Sequence, residues 1–150
     1  MSDHQKQSFQ ILFAGASVAF GVPFLLIEVI GLVLGMELYN TYPTLFGALY
    51  ISLYVLGGIL GSSLATRKVE LDQMTRFGVL TGLAAFFIQQ VVYFIFFGAG
   101  VLGDTYTLFA LVGGSLMGSI YTKQNIKRLE KELAEKEAEK PAEEPSEEET

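Results

Sequence analysis

The chain has 150 residues, a net charge of −6, a mean hydropathy of +0.42 and no cysteine. Disulfides, thiol chemistry and cysteine-ligated metals are thereby excluded. The acidity is concentrated near the C-terminus, so the rest of the chain is far more apolar than the average suggests.

Residues 1–8 are polar and hold the only histidine, His4. From Phe9 to Thr122 the charged residues are Glu28, Glu37, Arg67, Lys68, Glu70, Asp72, Arg76 and Asp104. Between them lie apolar runs near the roughly 20 residues that cross a bilayer, where a soluble domain would show amphipathic stripes. The sequence therefore predicts an all-α protein, with a four-helix transmembrane bundle over residues 9–122. The first run is too long for a signal-peptide core and little positive charge precedes it, so no cleavable signal is expected.

The first helix is predicted over 9–36, with a kink at Pro23, whose ring removes one backbone hydrogen bond. The run "PFLLIEVIGLVLG" places Glu28 inside it. An acidic residue at a helix centre costs roughly 2.5–3.5 kcal/mol to insert, and less toward the interface. At 1.5 Å per residue, Glu28 lies about 12 Å below the Met36 end. No Lys or Arg lies within any predicted span, so its partners must be neutral groups at its own depth.

After the polar turn "ELYNTY", Pro43 is placed to open a second helix over 43–66. Tyr50 on that helix matches the depth of Glu28. The loop "RKVELDQMTR" follows, then a third helix over 77–97 that carries Gln89, Gln90 and Tyr93. Adjacent glutamines point about 100° apart, so one is expected to join the Glu28 neighbourhood and the other to bond a second helix or subunit. Glu28, Tyr50, Gln89, Gln90 and Tyr93 thus form a candidate intramembrane polar or ion site. Two readings stand side by side: an ion- or proton-responsive or solute-conducting site, and a neutral hydrogen-bonded joint between helices.

The turn "GAGVLGDTY" leads to a fourth helix over 107–122, short for a full crossing and therefore tilted or locally thinning the bilayer. A charged helix is expected to continue into water over 123–140. There Ile126, Leu129 and Leu133 follow heptad spacing, and Arg128–Glu132 and Glu132–Lys136 are i,i+4 pairs. Pro141 ends this pattern, and residues 141–150 are predicted to be disordered. Lysines and arginines set orientation. They occur between the second and third helices and after the fourth, which places both termini and the C-terminal helix on the cytoplasmic side of the cell membrane.

Small residues recur every four positions at Gly57, Gly61 and Ala65 and again at Ala110, Gly114 and Gly118, with further pairs Gly31–Gly35 and Gly78–Gly82. Such faces let helix backbones approach closely, either within one bundle or between subunits. The two halves are also alike. "NTY" and "DTY" close the outer turns, "TLF" follows each, and "GGILGSSLATR" matches "GGSLMGSIYTK". Two repeated hairpins of the same orientation account for this, a device used by some transporters; the alternative is that inward-going helices favour the same residues.

Arg67, Lys68 and Arg76 are placed to set topology and to meet anionic headgroups. No convergent metal ligands occur, and no catalytic triad, phosphate loop or basic–aromatic nucleic-acid surface is present. Asn40 and Asp104 read as turn residues.

The pattern at Gly57–Ser62, Gly78–Gly82 and Gly113–Gly118 is similar to that of small prokaryotic membrane proteins of four helices, which imply no known activity. "NTYPTLFGALYISLYVLGG" resembles, more faintly, the two-helix accessory membrane proteins of rotary ATP synthases; the duplicated four-helix form departs from that pattern and no site is carried over. The expected function is that of a non-enzymatic membrane protein, without cofactor, metal or nucleic acid. Its expected partners are the lipid bilayer and either further copies of itself or another membrane subunit. The alternative is a small channel, transporter or holin-like protein.

Overall fold

The computed structural model describes residues 3–98 and 105–138. The turn at Asp104, the end of the charged helix and the acidic segment 141–150 lie outside the described residues, as do the side chains of His4 and Glu37. Among the described residues four helices follow one another, α1 (Asp3–Thr41), α2 (Pro43–Thr66), α3 (Met74–Phe97) and α4 (Thr105–Ala138), and there is no strand. Within the described residues three stretches, Lys6–Gly35, Pro43–Thr66 and Met74–Phe96, are long and apolar enough to cross a membrane. In lipid a helix satisfies its own backbone, which suits chains of this hydropathy. The α4 helix is not among the three: glycine, serine and threonine dilute its first half and charge fills its second.

The boundary of α2 falls where the sequence places it, because Pro43 supplies the fixed φ of a first helical position. The α1 helix runs on past Met36. Helical dihedrals continue through Pro23, and a break comes at Gly35 (φ 70°, ψ 170°), after which helix resumes to Thr41. That backbone conformation favours glycine. The α3 helix starts three residues earlier than the hydropathy suggests, because Met74 is buried and anchors the loop before it. The α4 helix runs unbroken from the bundle into its charged half. There Arg128 Nε donates to Glu132 Oε1 at 3.0 Å, and Lys131 pairs with Glu135 at 3.7 Å. Both pairs are exposed and contribute only a few tenths of a kcal/mol each.

Around the bundle the order is α1, α2, α4, α3, with α1 and α4 on a diagonal and scarcely touching. Glycines set the separations. A β-carbon at Gly57 would overlap the Ala19 carbonyl and the Pro23 ring, and one at Gly61 would overlap the Gly15 carbonyl. The missing N–H of Pro23 leaves the Ala19 carbonyl without its usual helical donor, and the bare Cα of Gly57 lies against that oxygen. Weak Cα–H···O contacts of this kind recur where helices pack closely.

Between the parallel helices α2 and α4 the contacts are reciprocal. Gly58 lies against the Leu111 carbonyl and Gly114 against the Val55 carbonyl, so one sequence offset relates both pairs. Gly118 packs on Ile59. Two hydroxyls cross this seam: Ser115 Oγ donates to the Gly58 carbonyl and Ser63 Oγ to the Gly118 carbonyl, both at 3.3 Å. Ala65 and Ala110 are also buried. The Gly57–Gly61–Ala65 face therefore meets α1, and the Ala110–Gly114–Gly118 face belongs to the α2–α4 contact, within one chain.

Candidate functional site

The interior is unusually hydroxylated. Thr66, Thr81, Ser119 and Thr122 are buried, and each donates to a carbonyl of its own preceding turn, at 2.7–2.9 Å. That habit lets a short polar side chain sit in an apolar interior without an unpaired proton.

Toward the far end from the Arg67–Arg76 loop, larger polar groups meet. Tyr50 and Tyr54, one turn apart on α2, pack with their rings tilted by 53° and centroids 4.8 Å apart. Their hydroxyls converge on Tyr93 of α3, at 3.4 Å from Tyr50 and 3.2 Å from Tyr54. Phe20 and Phe24 of α1 close the side with edge-on contacts to the Tyr93 ring at 6.4 and 6.2 Å. The hydroxyl of Thr107 on α4 completes the group beside Tyr50. All four helices thus contribute to one aromatic and hydroxyl cluster, and it ties α2 to α3 across the bundle diagonal.

The structure brings together two of the residues singled out by sequence, Tyr50 and Tyr93, and adds Tyr54 and Thr107. Tyr54 was legible in principle, since it follows Tyr50 at helical i,i+4 spacing. Gln89 is fully buried, yet neither its Oε1 nor its Nε2 has a hydrogen-bond partner among the described residues. Gln90 is half-buried, and its Nε2 has no partner among the described residues. Glu28 stands apart: it lies one turn beyond Phe24 but is exposed on the surface of α1. No hydrogen bond joins it to Tyr50, Gln90 or Tyr93 among the described residues. Around it Leu25, Val29, Leu32 and Val33 are each more than half exposed, and a β-carbon at Gly31 would meet open space. Among the described residues no group of His, Cys, Asp or Glu is arranged to hold a metal ion.

Chemically, the tyrosine cluster offers neutral donors and acceptors and the exposed half of α1 offers one carboxyl. Replacing Tyr54 with Phe removes one hydroxyl from the cluster and keeps the ring. The expected cost is about 0.5–1.5 kcal/mol, read as a lower unfolding midpoint in detergent, with Tyr54→Ala several-fold worse.

Neither a family model, nor a curated protein, nor a solved structure matches this chain.

Proposed function

We propose that the protein is a non-enzymatic, polytopic membrane protein that works as an oligomer or as an accessory subunit of a larger membrane complex, docking through the half of α1 that follows Pro23. The observation that carries this reading is Glu28, exposed among exposed apolar side chains. Facing lipid, that carboxyl is expensive. Against a helix from another copy or subunit it gains a hydrogen bond, and Gly31 permits close approach. The other small-residue faces are occupied within the chain, which leaves this one for a partner.

In this reading all four helices cross the bilayer and both termini are cytoplasmic, in line with the Lys and Arg distribution. Two repeated hairpins are part of the same reading, supported by the reciprocal Gly58 and Gly114 contacts across α2 and α4.

The test is purification of the full chain from native membranes in mild detergent, with mass determined by light scattering. Wild type is expected to elute as a multimer or with a stoichiometric second subunit. Glu28→Gln is expected to keep the assembly, because an amide also hydrogen-bonds, while Glu28→Leu weakens it at unchanged helix content. A monomeric wild type, unaccompanied, would sink the proposal.

The buried, unpaired Gln89 near a hydroxyl cluster favours a second reading, a small channel or carrier. Flux through proteoliposomes separates the two. Conduction by wild type that Gln89→Met abolishes supports a pathway; its absence from wild type removes it.

A further inference from the structure

At the end of the bundle that carries the charged loop, two adjoining depressions share Ile11 and Lys68. The first, about 150 Å³, is an apolar groove along the outside of the α1–α2 contact, floored by Ala14, Val18, Leu64 and Ala65. The second, about 480 Å³, lies beyond it between the start of α1 and the loop, and is lined by Gln7, Ser8, Glu70 and Gln73. That volume falls within the range of small-molecule sites. Lys68 is the cation common to both, and Glu70 borders only the outer one.

The loop that presents these charges is built rather than slack. Val69 N–H donates to the Thr66 carbonyl at 3.1 Å, Gln73 N–H to the Glu70 carbonyl at 3.0 Å, and Phe77 N–H to the Gln73 carbonyl at 2.9 Å. Gln73 Nε2 also donates to Glu70 Oε2 at 3.3 Å, an exposed contact between two residues that line the pocket. Among the described residues no ion pair engages Lys68.

From the bundle outward the surface therefore reads apolar groove, ammonium, carboxylate. A phospholipid with an amino headgroup reads acyl chain, phosphate, ammonium. We propose that this surface is a binding site for an aminophospholipid of the phosphatidylethanolamine class. One acyl chain lies along Ile11, Ala14, Val18 and Leu64, the phosphate sits on Lys68, and the primary ammonium donates to Glu70. The charge order distinguishes this lipid from anionic ones. A phosphatidylglycerol satisfies Lys68 but brings no cation to Glu70, and a choline headgroup brings a cation with no N–H to donate. The inference rests on the membrane reading of α1–α3, which is checked separately by whether the chain resists alkaline extraction of membranes and dissolves in detergent.

The experiment is native mass spectrometry of the detergent-purified full chain with dioleoyl phosphatidylethanolamine, phosphatidylglycerol and phosphatidylcholine at equal concentrations. Wild type is expected to retain the ethanolamine lipid about fivefold over the glycerol lipid, the ratio one interfacial charge pair supports. Glu70→Gln is expected to bring that ratio to about one with phosphate-dependent retention intact. Lys68→Ala lowers retention of all three lipids. Ala14→Phe, at an exposed position, obstructs the groove and lowers all three without disturbing the fold. Lys136→Ala, on the charged half of α4 and bordering neither depression, changes nothing. Equal retention of the ethanolamine and glycerol lipids by wild type overturns the proposal, as does a Lys68→Ala variant that binds like wild type. Displacement of lipid by millimolar inorganic phosphate would overturn it in favour of a free anion site. Loss of selectivity in a chain that still fractionates as an integral membrane protein refutes the site alone.

Discussion

Replacing Gly114 with Ala is expected to destabilise the bundle by about 1–3 kcal/mol, the range for overpacking a well-fitted interior, while the same change at Gly113 leaves it unharmed. The two glycines are neighbours on one helix, so intrinsic propensity treats them alike and favours Ala by about 1 kcal/mol at both. Their surroundings differ. A β-carbon at Gly114 would fall on the Val55 carbonyl, with the Val55 Cα and carbonyl carbon at 3.0 Å, whereas at Gly113 nothing lies within 4 Å. The obstructing atoms are backbone, and no side-chain rotation relieves them. The α2 and α4 helices must separate, which also stretches the Ser115–Gly58 and Ser63–Gly118 hydrogen bonds that span the seam. Unfolding of each variant in a graded detergent series, followed by circular dichroism, is the measurement. Gly113→Ala should match or slightly exceed wild type and Gly114→Ala should fall below it. Equal behaviour of the two would mean that the α2–α4 contact does not set the stability.

That contrast also marks what can be read in the sequence. Four-residue spacing identifies which faces of α2 and α4 are small, and both faces do pack, but spacing alone does not say against what. Length, Pro43 and the charged loop are enough to place α2, since each is a local property of the chain. The rotation of a helix about its axis is different. Where every face is apolar, hydropathy gives no direction. Tyr50 and Tyr93 lie 3.4 Å apart at their hydroxyls, whereas Glu28, which depth matching set beside them, lies on the exposed surface. Depth is fixed by counting residues; azimuth depends on the contacts of the whole bundle. Pro23 marks a second limit. Its missing hydrogen bond is legible in the sequence, but the seat of its ring against Gly57 is not, nor is the break of α1 at Gly35, where the backbone takes a positive φ.

Gln89→Met is expected to stabilise the protein, by about 1–3 kcal/mol, which few substitutions of a fully buried residue do. The amide has no accessible surface and neither of its polar atoms has a partner among the described residues. An unsatisfied buried polar group carries a desolvation penalty of that size. Methionine nearly conserves the volume, removes both unpaired groups and adapts its shape to the gap. In the docked-subunit reading Gln89 is a bystander, so Gln89→Met should raise the unfolding midpoint and leave the assembled mass unchanged. In the pathway reading the amide meets a polar solute within the bundle, and the same variant should abolish flux whatever it does to stability. Midpoint, mass and proteoliposome flux measured on one variant therefore decide between the readings. A fall in stability would show that the amide is hydrogen-bonded in the functional protein, and Tyr93, one turn further along the same helix, would then be a candidate partner.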